Sequence, residues 1–203
     1  MLIVGIAGGI ASGKSAVSAC FEGQGAQVLD ADRAGHEVLS LETVCDQIRN
    51  IWGNSVFQQD GQVDRKVLGK IVFDPESGHN ELIKLETITH PLIKQTLEYQ
   101  IRELENSGEF PVAILDAPVM FKAGWDSFCD FIVFVESSYD NRLARAIQRG
   151  WSQSEFDRRE SLQASIEYKQ SKANWVVRNN GSRIEIQEQV SLIWRELLKK
   201  IDK

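Results

Sequence analysis

The eight residues Gly8-Gly9-Ile10-Ala11-Ser12-Gly13-Lys14-Ser15 constrain this chain more than any other feature. They match GxxxxGK[ST] at every fixed position. Chance alone gives such a match in about one chain per hundred of this length, so the flanking sequence has to decide. Leu2-Ile3-Val4-Gly5-Ile6-Ala7 is a short apolar run, as a buried parallel strand requires, and a helical pattern begins near Lys14. Between them, glycines let the backbone curl so that successive N–H groups point inward at phosphate oxygens. The helix that follows adds its positive N-terminal end. Lys14 can reach the β- and γ-phosphates of a nucleotide, and the Ser15 hydroxyl can serve Mg²⁺. A dinucleotide loop would need GxGxxG, and the order Gly8-Gly9-x-x-x-Gly13 departs from it. A glycine-rich structural turn is the alternative.

Further apolar runs stand at Gln27–Asp30, Val112–Asp116, Phe131–Val135 and Trp175–Val177, with helical patterns between them. Strands alternating with helices predict a three-layer α/β fold around a parallel sheet. Val190, Ile193, Trp194, Leu197, Leu198 and Ile201 are spaced to form the apolar stripe of one final helix. Residues 45–110 hold helical patterns and no convincing strand, and residues 136–173 are charge-rich and helical. These read as a helical insert and a lid on one core, the whole chain 1–203 forming a single unit.

The 203 residues suffice to bury a sizeable core. A net charge of −6 argues against general nucleic-acid binding. Cys20, Cys45 and Cys129 are odd in number and widely spaced, which predicts free thiols in a reducing cytosol rather than a disulfide framework or a zinc site. The first apolar run has no basic segment before it and meets glycine by Gly8, so neither a signal peptide nor a membrane span is expected.

A phosphate loop does not identify what receives the phosphate. Asp30-Ala31-Asp32 closes the second strand, on the rim where open α/β sheets bind ligands. Asp32 could accept a proton from an attacking hydroxyl, hold Mg²⁺ through water, or cap a helix starting near Arg33. Asp116 ends the third strand before Ala117-Pro118 and is either a second carboxylate on the metal side or a turn former. Arg142, Arg145 and Arg149 share a helix face and could neutralise a transferring phosphoryl group, although most charged helix faces are merely solvated. Of these, Arg142 and Arg149 are the stronger candidates, because they flank the approach to a plausible hinge at Gly150. Pro91 suits a helix's first turn, which makes His90 either a helix-start residue or a contact to phosphate or base.

In order along the chain, these segments resemble the dephospho-CoA kinase family. The loop is similar to the family's GGIGSGKS, and Asp30-Ala31-Asp32 to its DAD segment. Gly61-Gln62-Val63-Asp64-Arg65, Leu68 and Val72-Phe73 resemble its CoA-side domain. His90-Pro91-Leu92-Ile93 matches its HPxI signature, and Asp116-Ala117-Pro118-Val119-Met120-Phe121 its DxPLLFE segment. Arg142, Arg145, Arg149, Gln163 and Asn180-Gly181 follow in family order. Three positions depart. Lys122 stands where the family has glutamate, Ala11 replaces a glycine and is tolerated if its φ is negative, and Arg178 occupies a site often acidic.

The resemblance implies a P-loop kinase fold with a five-stranded parallel sheet, an insert at about 45–110 and a lid at about 138–173. It implies transfer of the ATP γ-phosphate to the ribose 3′-hydroxyl of dephospho-CoA, the last step of coenzyme A synthesis. Lys14, Asp32 and Arg142 are then the catalytic candidates. Gly9, Ala11, Ser12, Gly13, Lys14, Ser15, Ala16, Arg149 and Asn180 would bind ATP. Asp32, Arg65, His90 and Pro118 would bind the acceptor. Mg²⁺ would sit on Ser15, with Asp32 and Asp116 as further candidates. The expected partners are ATP and dephospho-CoA, with no nucleic acid or membrane. The expected setting is the cytoplasm, with a monomer favoured. Two other readings are a different nucleoside-monophosphate-type kinase and a weakened nucleotide-binding protein.

Overall fold

A computed structural model describes residues 1–201, which fall into two compact units, residues 1–30 with 100–201 and residues 31–99. The first unit is built on five parallel strands, β1 (Leu2–Gly8), β2 (Gln27–Asp30), β3 (Val112–Asp116), β4 (Phe131–Glu136) and β5 (Trp175–Arg178). Each of the five apolar runs is a strand. The sheet order is β2-β3-β1-β4-β5, and β1 pairs with β3 on one side and β4 on the other. The chain leaving β1 therefore emerges where the sheet's winding changes direction, the place at which open α/β sheets form a crevice.

Both faces of the sheet are covered, which is why the strands read as unbroken apolar runs. On one face Val4, Ile6, Ile114, Val133 and Val135 pack against Val17 and Phe21 of α1 (Lys14–Glu22) and Val190, Trp194 and Leu197 of α9 (Arg183–Ile201). Side chains alternate along a strand, so Ile3, Ala113, Leu115 and Phe134 bury themselves on the other face. The α9 stripe holds through Leu198, which packs partly buried against this core, and runs out at Ile201, which is 39% exposed.

The charge-rich stretch after β4 forms three short helices, α6 (Tyr139–Gln148), α7 (Gln153–Ser161) and α8 (Ile166–Ser171). Serine starts each one. Ser138, Ser152 and Ser165 accept hydrogen bonds from the backbone N–H of Asn141, Glu155 and Tyr168 respectively, satisfying donors that a helix start leaves open. All three cysteines are free thiols; Cys20 is buried, and burial pushes the Cys129 thiol up to about 12.

The second unit contains α2 (Ala31–Val38), α3 (Glu42–Trp52) and α4 (Arg65–Val72), together with most of the 30-residue α5 (Gly78–Ser107). Its one β feature among the described residues is the bridge between Phe57 and Val63. Asp64 caps α4, accepting from the N–H groups of Lys66 and Val67. Two local expectations are corrected here. The helix after β2 starts at Ala31, so Asp32 lies inside its first turn and is not the cap of a helix beginning at Arg33. Pro91 lies in the interior of α5, not in a first turn. It leaves the Thr87 carbonyl without its helical N–H, which costs about 3 kcal/mol. Burial of Leu82, Ile93 and Leu97 along the same helix offsets that cost.

Candidate active site

Between β1 and α1 the loop turns on Gly13, whose φ of 94° lies in the left-handed region. No side chain caps α1, so its N-terminal end faces the loop unmasked. All three loop glycines have close neighbours, and on Gly8 a Cβ would meet the Ser12 hydroxyl and the Val135 carbonyl. A Cβ on Gly13 would overlap the Asn179 amide, and one on Gly9 would run into the Arg142 guanidinium. Ala11 has a φ of 57°, so the condition under which it would replace glycine without strain, a negative φ, is not met. An L-residue pays about 1 kcal/mol there. Its methyl group recovers much of that by burial against Ala146 and Phe156. Lys14 is half-buried, while Ser15 and Ala16 are exposed at the start of α1.

The loop's backbone is held by side chains more than 130 residues away. Arg145 donates from Nη1 to the carbonyls of Ala11 (3.2 Å) and Ser12 (3.1 Å) and to the Ser137 hydroxyl (3.1 Å). Its Nη2 donates to the Asn179 carbonyl at 3.0 Å. Buried Asn179 donates from Nδ2 to the Ser12 carbonyl at 2.7 Å. Arg142 is 4% exposed, pairs with Glu160 and donates to the Ile10 carbonyl at 3.4 Å. Its guanidinium also stands 5.4 Å from the Phe156 ring, within cation–π range. Lys169 completes the set from α8, donating to the Gly8 carbonyl at 3.2 Å and to Gln163 Oε1 at 2.7 Å.

Arg149 lies exposed at the end of α6, before Gly150 with its φ of 85°. The second guanidinium on the loop backbone is that of Arg145. Arg145→Ala would remove five hydrogen bonds and strip the Ala11 carbonyl of its side-chain donor, while the Ser12 carbonyl would keep Asn179 Nδ2. We expect a loss of about 3 kcal/mol in urea unfolding. A change below about 1 kcal/mol would show these bonds to be ornamental.

Beside Gly9 a cavity of about 360 Å³ opens, lined by Ser137, Tyr139, Arg142, Ile166 and Asn180 among others. The Asn180 carbonyl oxygen of the side chain accepts from the Ser138 N–H at 2.9 Å and from Asn141 Nδ2 at 3.2 Å. Two buried polar atoms at this end of the sheet, Ser12 Oγ and Arg142 Nε, have no partner. Asp116 closes β3 opposite Asp30 of β2 and accepts from the Ser18 hydroxyl at 3.0 Å. Burial pushes the Asp116 carboxyl above its ordinary range; the Lys14 ammonium and the Ser18 bond pull it back, and Asp30 raises it. Pro118 is half-buried in the turn that follows.

The remaining acceptor-side candidates belong to the helical unit. Asp32 is exposed in the first turn of α2, where its charge suits the helix dipole. Arg65, at the start of α4, contacts His36 Nε2 and lines a cleft of about 180 Å³ with Ser40 and Gln62. His90 is half-buried within α5. Sequence reasoning did not single out Asn179, Glu160 or Lys169. The doubled Asn179-Asn180 before Gly181 was the one available signal for the first.

A family model described as dephospho-CoA kinase matches residues 2–185. A dephospho-CoA kinase of Geobacter sulfurreducens is 36% identical over 196 residues, covering 96% of this chain and 98% of the relative. One from Carboxydothermus hydrogenoformans is 35% identical over 205 residues, with 98% of each covered. Among solved structures, the protein TT1252 of Thermus thermophilus superposes with a TM-score of 0.79 at 30% identity, covering 97% of both chains. The dephospho-CoA kinase of Campylobacter jejuni gives 0.62 at 20% identity over 96% of both, a likeness of fold.

Proposed function

The chain belongs to the dephospho-CoA kinase family, and from that premise we propose that it transfers the γ-phosphate of ATP to the ribose 3′-hydroxyl of dephospho-CoA in the cytoplasm. The observation that carries this reading is the phosphate loop on β1, gripped by Arg142 and Arg145 of α6, the helix after β4. Phosphoryl transfer is mostly positioning and charge stabilisation, and cations fixed on the loop's own backbone supply both.

Lys14 would neutralise the β- and γ-phosphates, with Arg142 beside them. Gly9, Ala11, Ser12, Gly13, Ser15 and Ala16 would cradle them through the backbone, and Asn180 would line the nucleoside side. Arg149, exposed next to Gly150, would reach ATP only as α6–α8 close over it. Closure of residues 138–173 would exclude water as a competing acceptor. Asp32 would take the proton from the attacking hydroxyl. Arg65 and His90 would hold the anionic acceptor, and Pro118 would shape its entry.

The donor set fits Mg²⁺. Ser15 offers an exposed hydroxyl beside Lys14, and Asp116 is a half-buried carboxylate whose proton affinity is raised by burial and by Asp30. Mg²⁺ needs only one or two such protein ligands besides phosphate and water. Ser15 would hold it, with Asp116 and Asp32 as further candidates, and the ion would supply charge neutralisation between the phosphates.

Offering dephospho-CoA, AMP, CMP and shikimate to the enzyme with ATP separates this reading from another small-molecule kinase. Dephospho-CoA should be used and the others not; turnover on one of the others alone would reassign the chain. The weakened-enzyme reading rests on Lys122, which is exposed in the turn after β3. An exposed cation there would attract two polyanions weakly and over distance. Lys122→Glu should therefore change kcat/KM for dephospho-CoA by less than about tenfold, which is 1.4 kcal/mol. A larger gain would identify this chain as a weakened member.

A further inference from the structure

One of the cations that hold the loop's backbone is a buried lysine with no carboxylate among its hydrogen-bond partners. Lys169 is 4% exposed, and the partners of its ammonium are two neutral oxygens, the Gly8 carbonyl and Gln163 Oε1. Gly8 is the last residue of β1 and the first of the phosphate loop. Three charged groups act on Lys169 from the elements around it: Lys14 of α1 and Arg142 of α6 repel it, and Glu160 of α7 attracts it. Glu160 is already paired with Arg142. A buried ammonium without its own carboxylate is costly, and it is more economically explained as half of an interaction that a bound anion completes.

We propose that Lys169 is a positioning residue for the nucleotide phosphates, fixing the Gly8 carbonyl at the entrance of the loop and lending the cradle a buried positive charge that ATP balances. This rests on the reading of the loop as an ATP site. In the free protein, burial and then Lys14 lower the Lys169 pKa to about 8. A polyanion on the loop favours the charged form and raises that pKa again. Binding of ATP then takes up protons near pH 8, and affinity falls as pH rises above about 8.

The test is ATP binding by calorimetry across pH 7–9.5 for wild type, Lys169→Met and Lys169→Gln, with thermal melts to establish folding. Gln keeps a donor for the Gly8 carbonyl and removes the charge, so it separates a charge from a neutral strut. We expect both variants to bind ATP about tenfold more weakly at pH 7, corresponding to one unit of pKa linkage, and to lose the alkaline fall. Wild-type binding at pH 8, compared in two buffers of different ionisation enthalpy, should take up as much as about half a proton. Full affinity in Lys169→Gln, an alkaline fall retained in both variants, or no proton uptake by the wild type would each overturn the proposal. A wild type that binds no ATP would instead remove the ATP reading itself.

Discussion

Lys14→Ala is expected to abolish measurable turnover. Lys14 is the first residue of α1 and the point charge nearest the end of the loop. Removing a preorganised charge from a transferring phosphoryl group costs on the order of 10²-fold or more. The structure adds a second consequence. The Lys14 ammonium is what chiefly restrains the raised pKa of Asp116, so its removal would push that carboxyl further up and weaken it as a metal ligand. Steady-state assays should show kcat/KM down by at least about 10²-fold, with the melting temperature nearly kept. Wild-type rates in the folded variant would mean that the loop is a structural turn.

Asp32→Asn is expected to separate chemistry from binding. The carboxylate lies at the second residue of α2, where loss of its charge costs the helix only about 0.3–1 kcal/mol. Loss of a general base costs roughly 10²–10⁴-fold. The expected pattern is a large fall in kcat with ATP affinity intact and little change in the unfolding midpoint. If stability alone changed, Asp32 would be a helix-start residue and the proton acceptor would have to be sought elsewhere.

The sheet was legible because parallel strands buried on both faces leave a plain mark, and Val112–Asp116 and Gln27–Asp30 run to the residues that the sequence suggests. The loop was legible because its chemistry demands glycines and a lysine at fixed spacing. The grip on the loop was not. Spacing shows that Arg142, Arg145 and Arg149 share a face, but not which carbonyls lie opposite. Arg145 and Ala11 are 134 residues apart, and only the pairing of β1 with β4 brings them together. Local preference also misled where packing outweighed it. Pro91 prefers a helix start, yet α5 runs through it. Ala11 prefers negative φ, yet the loop turns it the other way over a buried methyl. Lys169 was invisible for another reason: a lysine in a charged hexapeptide reads as solvated, and only the tertiary fold shows it to be buried.

The most direct test of the whole account is the fate of the phosphate. Purified protein given ATP, Mg²⁺ and dephospho-CoA should release one ADP for each coenzyme A formed, with the new phosphate on the ribose 3′-oxygen by phosphorus NMR, and should release almost no ADP when dephospho-CoA is omitted. ADP released at the same rate without dephospho-CoA, or a phosphate found at any other position, would contradict it.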